Sequence, residues 1–168
     1  MKSRSFRPCR EDERGIYDLR FSIYDLRPLD VSRFTFREPL KRQLTITNEP
    51  INEAALLRER AMSPGMGAAV YFLGVVRHEE EGQTIAAIEY EAFPKMVEHQ
   101  FQLLFDQIEK RWPIESVRLV HRLGVVKVNE PSLWVEVVAP HRGEAFAACQ
   151  WLIDEMKRVV PIWKKAVP

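Results

Sequence analysis

Residues 85–108 read IAAIEYEAFPKMVEHQFQLLFDQI, and the spacing of apolar residues changes in the middle of the run. Up to Ala92, Ile88 and Tyr90 alternate with Glu89 and Glu91, the two-residue period of a half-exposed strand. Beyond Pro94, Val97, Phe101, Leu104, Phe105 and Ile108 fall on one face of a helix. Proline suits the first helical turn, because the N–H it lacks would have no intrahelical partner there. A strand that passes straight into an amphipathic helix, with further strands on both sides, sets the fold class.

Toward the N-terminus, Ser63-Pro64-Gly65 breaks the chain before the apolar run Ala68 to Val76, which reads as a buried strand. Asn52 is placed to cap a short helix that runs to about Arg60. Before it, Gln43 to Thr47 has the β-branched character of a strand and ends at the turn Asn48-Glu49-Pro50. Toward the C-terminus, two strands are expected at Ser116 to Leu123 and Ser132 to Val138, the second with Leu133, Val135 and Val137 on one side. A last helix is expected from about Gly143 to Val159, with Ala145, Cys149, Leu152, Ile153 and Met156 at helical spacing. The order β-α-β-β-α-β-β-α predicts an α+β domain, a largely antiparallel sheet packed by helices, and speaks against a doubly wound sheet.

The chain has 168 residues, enough for one compact domain with a hydrophobic core. Hydrophobic residues make up 46% and charged residues 29%, which excludes a disordered chain. No run approaches the roughly 20 apolar residues of a membrane span, and the polar N-terminus does not read as a signal peptide, so a cytoplasmic protein is expected. Charge is unevenly spread. Residues 1–42 hold 11 Lys and Arg against 7 Asp and Glu, while residues 43–168 hold 14 against 17. That basic stretch reads as an N-terminal extension, loosely ordered or an added hairpin, preceding a domain over residues 43–168. Its one repetition, Ile16-Tyr17-Asp18-Leu19-Arg20 echoed at Ile23-Tyr24-Asp25-Leu26-Arg27, is too little for a repeat fold. Acidic residues interrupt it throughout, so nucleic-acid binding is not expected. Cys9 and Cys149 show no CxxC or Cys/His metal spacing, and no metal or cofactor is expected. The sequence also lacks the GxGxxG, P-loop, GxSxG and HExxH patterns.

The residues that could carry chemistry cluster at element boundaries. Arg77 and His78 follow a strand, His141 and Arg142 stand before the last helix, and Lys157 and Lys164 flank its end. A helix N-terminus favours an anion, so His141 and Arg142 could grip a phosphate; a solvated turn or an ion pair is the plainer alternative. Lys157 in a last helical turn could simply complement the helix dipole. Pro161-Ile162-Trp163 reads as a rigid aromatic stop that would hold Lys164. A lysine crowded by Arg77, His141, Arg142 and a second lysine would exchange protons more readily.

Taken in order along the chain, the sequence resembles the large, catalytic subunits of molybdopterin synthase. The resemblance is carried by Ile46-Thr47-Asn48-Glu49-Pro50-Ile51, by Gly67 through Arg77 with Gly82, and by Ile88 through Phe93 with Met96. It continues through His121-Arg122-Leu123-Gly124, Ala139-Pro140-His141-Arg142 with Ala145-Phe146, and Lys157 through Pro161, Trp163 and Lys164. It implies an α/β-hammerhead-like fold, Lys157 and Lys164 as catalytic lysines, and Arg77, His141 and Arg142 as the pocket for a pterin substrate's phosphate and ring. The substrate implied is cyclic pyranopterin monophosphate. The partner implied is a ubiquitin-like sulfur carrier whose Gly-Gly tail ends in a thiocarboxylate, bound to a homodimer of large subunits in a heterotetramer. The alternative is a binding module that holds a phosphorylated ligand or such a tail without turning it over. Ala166 departs from an acidic position of the family, and an end at Pro168 is expected to omit a segment that helps complete the pocket.

Overall fold

The structure, a computed structural model, describes residues 38–80 and 82–168. The N-terminal extension expected over residues 1–42 thus lies outside the described residues up to position 37. The described part, Glu38–Pro168, is one compact unit. Its elements run β1 Lys41–Thr47, α1 Glu53–Arg58, β2 Ala68–Val75, β3 Glu79–Glu80, β4 Gln83–Thr84, β5 Ala87–Ala92 and α2 Pro94–Arg111. They continue with β6 Ser116–Arg122, β7 Gly124–Lys127, β8 Pro131–Ala139, α3 Arg142–Val159 and β9 Ile162–Val167.

Strands β1, β6, β8 and β2 form a four-stranded sheet in that order, and only the β1/β6 pair is parallel. A second sheet, β7-β5-β9, is antiparallel throughout, and β3 pairs with β4 in a hairpin. This is the α+β, largely antiparallel architecture read from the sequence. Helices α2 and α3 lay their apolar stripes on the larger sheet. Phe101, Leu104, Phe105 and Ile108 of α2 and Ala148, Leu152 and Met156 of α3 join Val117, Leu119, Val135 and Val137 in one core. At about 1.5–3 kcal/mol for each large apolar side chain removed from water, this packing fixes where both ends of α3 stand. Cys149 is part of that core, and burial pushes its thiol up to about 11, which suits a packing residue and not a nucleophile.

Several elements differ from the sequence expectation. Strand β1 begins at Lys41 and not at Gln43, Leu40 is buried, and Arg42 pairs with Asp106 and Glu109 at 2.6 and 2.5 Å. The sheet edge therefore takes in residues assigned above to the extension. Helix α1 stops at Arg58; Asn52 caps it as expected, its Oδ1 accepting from the Ala55 N–H at 3.0 Å. The β3–β4 hairpin and β7 were not expected: at two to four residues each they are too short to show a period. The stop read at Pro161-Ile162-Trp163 is instead the start of β9, a strand whose partner β5 lies far away in sequence.

Candidate functional site

Lys157 and Lys164 are brought together by a helix end and a strand. Lys157 sits in the last turn of α3, which ends at Val159 before Pro161. The chain then turns back as β9, in register with β5 from Ile162 opposite Ala92 to Val167 opposite Ala87. Lys164 lies opposite Tyr90, so strand alternation puts Ile162, Lys164, Tyr90 and Ile88 on one face. That face closes one side of a cavity of about 670 Å³. Phe72 to Val76, Leu133, Met156 and Lys157 of α3, and Val160 just past its end form other parts of its wall. The volume is of the size that holds a small-molecule ligand.

Arg77, two residues beyond the end of β2, lines the same cavity, and the β3–β4 hairpin adds Glu80. The hairpin turns at Gly82, whose φ of +79° is a conformation that side-chain-bearing residues rarely adopt. Glu80 pairs with the Lys164 ammonium, and its other oxygen lies 3.7 Å from the Arg77 guanidinium. The hydrogen bond from Lys164 holds the Glu80 carboxyl below the ordinary carboxylate range; burial opposes this, and the charges of Lys164 and Arg77 reinforce it. His121, on β6, also lines the cavity and is only 5% exposed. Its Nδ1–H donates to the Arg122 carbonyl at 2.9 Å, which leaves Nε2 with a free lone pair. Its ring stands edge-on to Tyr90 at 5.3 Å. Burial pushes its pKa below the ordinary imidazole value and the Arg122 carbonyl partly offsets this, so the site favours the neutral ring.

His141 and Arg142 are elsewhere. Strand β8 delivers them to the opposite end of α3, with His141 as N-cap and Arg142 as the first helical residue. The approach is tight: a Cβ on Gly67 would stand 2.7 Å from the Pro140 carbonyl oxygen, so that position has room only for glycine. Both side chains are exposed, and the His141 side chain does not cap the helix. Fifteen residues separate Arg142 from Lys157, about 22 Å along a helix. Within one chain, then, Arg77, Lys157 and Lys164 converge, and His141 and Arg142 do not line their cavity. The crowding of Lys157 by all of these cations, expected from the sequence, is not what the fold supplies. Glu80, His121, Tyr90 and Ser132 are cavity residues not expected from the sequence. His121 reads as one more residue of a buried strand, and Glu80 as part of a solvated acidic run, Glu79-Glu80-Glu81. Gly82 directly after that run was the available sign of a hairpin turn.

The MoaE protein family model matches residues 46–159, more than half of the chain. This chain belongs to the MoaE family. The matched span includes Arg77, His141, Arg142 and Lys157, and it ends before β9 and Lys164. The chain is 38% identical to the molybdopterin synthase catalytic subunit of Staphylococcus carnosus, over 75% of this chain and 83% of that one. It is likewise 38% identical to the subunit of the same name from Thermoplasma volcanium, over 73% and 88%. Among solved structures, molybdopterin synthase from Staphylococcus aureus superposes with a TM-score of 0.67 at 34% identity, covering 73% of this chain and 89% of that one. The fold described above is thus shared with a solved molybdopterin synthase over most of the chain, and no helix among the described residues is long and apolar enough to cross a membrane.

Proposed function

We propose that this MoaE-family chain is a molybdopterin synthase catalytic subunit, an enzyme of molybdenum cofactor biosynthesis acting in the cytoplasm. It would transfer sulfur from the thiocarboxylate of a small ubiquitin-like subunit to cyclic pyranopterin monophosphate, two carriers being consumed for each dithiolene. The observation that carries this reading is the convergence of Lys157, Lys164 and Arg77 on one cavity, in a family whose relatives bear that name. The pocket's cations suit two anions, the carrier's thiocarboxylate and the substrate's phosphate. Attack of the thiocarboxylate sulfur on a substrate carbon forms a C–S bond as a C–O bond of that carbon breaks. The oxygen leaves with the phosphate or, once protonated, as water, and the sulfur then bridges the pterin and the carrier's acyl carbon. Freeing the carrier then requires that acyl–sulfur bond to break, with water or the Lys157 amine taking the acyl group and the sulfur staying on the pterin. Lys157 serves as proton shuttle or transient acyl acceptor, and Lys164 steadies the negative charge that develops.

His141 and Arg142 fit this reading through a second copy of the chain. Helix α3 is too long for one small ligand to touch both its ends, so in a homodimer the pair would serve the partner's pocket and grip the pterin phosphate there. With one carrier on each large subunit the assembly is a heterotetramer. The test is direct: incubate the protein with thiocarboxylated small subunit and cyclic pyranopterin monophosphate, and assay dithiolene. Formation of dithiolene at two carriers per product is expected. Tight binding of both reactants without product would leave a binding module and overturn the enzyme reading.

A further inference from the structure

Glu80 has no part in the chemistry just described, yet it is the acidic side chain among the described residues lining the cavity. It pairs with Lys164 and lies 3.7 Å from Arg77, two of the cations assigned to anion binding. The exposures are unequal: the Glu80 side chain is 15% exposed, against 54% for Lys164 and 80% for Arg77. The carboxylate is therefore the most enclosed of the three groups. The β3–β4 pairing sets where Glu80 stands, and Lys164 and Arg77 favour its ionised form there.

We propose that Glu80 is an internal counter-ion that holds the position of the anionic ligand between Lys164 and Arg77 and sets how tightly that ligand binds. The inference rests on reading this pocket as an anion site, but it concerns binding alone and does not depend on turnover. Its chemistry is simple competition. An incoming oxyanion gains the same two cations only as Glu80 gives them up, and its apparent affinity is lowered by the strength of the pair it displaces. The β3–β4 hairpin that carries Glu80 is a two-strand arm turned at Gly82; its base is pinned by buried Ile85, which donates to the His78 carbonyl at 2.9 Å, so exchange of partners at Lys164 needs only the Glu80 side chain to turn. A carboxylate is also the end group of a carrier that has given up its sulfur. Return of Glu80 to Lys164 would then help expel the spent tail.

The experiment compares Glu80→Gln with Glu79→Gln, which removes one negative charge from the neighbouring, exposed hairpin position. Binding is measured by calorimetry with inorganic phosphate and, separately, with a peptide ending in a Gly-Gly carboxylate. Glu80→Gln should tighten at least one of the two by roughly fivefold, the worth of a partly exposed ion pair, and the arm that responds identifies which anion Glu80 stands in for. Glu80→Asp, which keeps the charge on a shorter stem, should fall between wild type and Glu80→Gln. Equal tightening by Glu79→Gln would reduce the effect to the general field of the protein and overturn the proposal. So would unchanged or weaker binding of both probes in a Glu80→Gln protein with a wild-type unfolding midpoint. Failure of the dithiolene assay with these binding shifts present would instead count against the sulfur-transfer reading alone.

Discussion

The two ends of helix α3 carry cations of similar kind and meet different surroundings. At its C-terminal end Lys157 opens into a cavity bounded by β2, by the β5–β9 face, by His121 and by the β3–β4 hairpin. At its N-terminal end His141 and Arg142 stand exposed beside a tight strand-to-helix turn. Along the sequence both ends look equally suited to an anion. What separates them is nonlocal: β9 folds back on β5 and so walls one end only. A rigid helix that places two cationic groups about 22 Å apart also forbids them from sharing one small ligand in one chain. The comparison teaches that residue type nominates a site, and strand pairing at a distance decides which nominee becomes a pocket.

The sharpest way to break this comparison is to remove the lysine at the enclosed end. Lys157→Ala should lower dithiolene formation by about a thousandfold, within the range for loss of a general acid–base or acyl-accepting group. Its unfolding free energy should change by no more than about 0.5 kcal/mol, since the side chain is exposed at a helix end. Lys157→Arg should not rescue, because arginine keeps the charge but does not give up a proton. At Lys164, where charge alone is needed, Ala should cost roughly tenfold to a hundredfold and Arg should restore part of it. Near-normal turnover in Lys157→Ala, at saturating carrier, would remove the distinction between the two ends.

A smaller effect is expected at the open end. Arg142→Ala should weaken binding of cyclic pyranopterin monophosphate by roughly tenfold, the worth of a charge-assisted hydrogen bond, and leave carrier affinity near wild type. If the pair acts across a dimer, the loss should be repairable by mixing. Lys157→Ala and Arg142→Ala chains refolded together and assayed at low substrate should recover roughly a quarter of wild-type turnover, since half of randomly formed dimers carry one intact site. No recovery beyond the separate variants would confine each pocket to its own chain and leave Arg142 without a ligand.

The scaffold of this comparison was legible in the sequence, and much of the pocket was not. The stripe Val97, Phe101, Leu104, Phe105 and Ile108 declares α2, and Leu133, Val135 and Val137 declare β8, because burial on one face imposes a period on the residues themselves. Strand β9 carries no such signature: of its six residues, Trp163, Lys164, Lys165 and Ala166 are exposed, and its order comes from hydrogen bonding to β5. Its existence hid the fact that Lys164 is held by a sheet and not by an aromatic stop. Lys157, Lys164 and Arg77 were found from residue type and from family resemblance. Glu80 and His121 were missed because their roles depend on what lies across the cavity, which no local pattern records. Leu40 and Arg42 were assigned to the extension because the basic composition there outweighed a strand that begins only two residues before the expected one.

The last separation of the two ends uses pH and is the smallest in size. His121 is buried beside the enclosed end, and its folded-state pKa lies below its ordinary value because burial disfavours the charged ring. The direction of its contribution follows from proton uptake. Above the unfolded value of about 6.5 the imidazole is neutral in both states and the contribution is fully present. As pH falls below that value the unfolded chain takes up the proton first, and stability is lost until the pH has passed through the lower, folded value. His121→Gln keeps an N–H that can donate to the Arg122 carbonyl and removes the titration. Urea unfolding at pH 7.5 and 5.5 should therefore show a smaller acid-side loss in His121→Gln than in wild type. Arg142→Gln at the other end introduces and removes no group that titrates in this range, so its loss should match wild type. The same acid-side loss in all three proteins would mean that the imidazole is not buried as a neutral group, and the enclosed end would lose the feature that most clearly marks it as partly shielded from water.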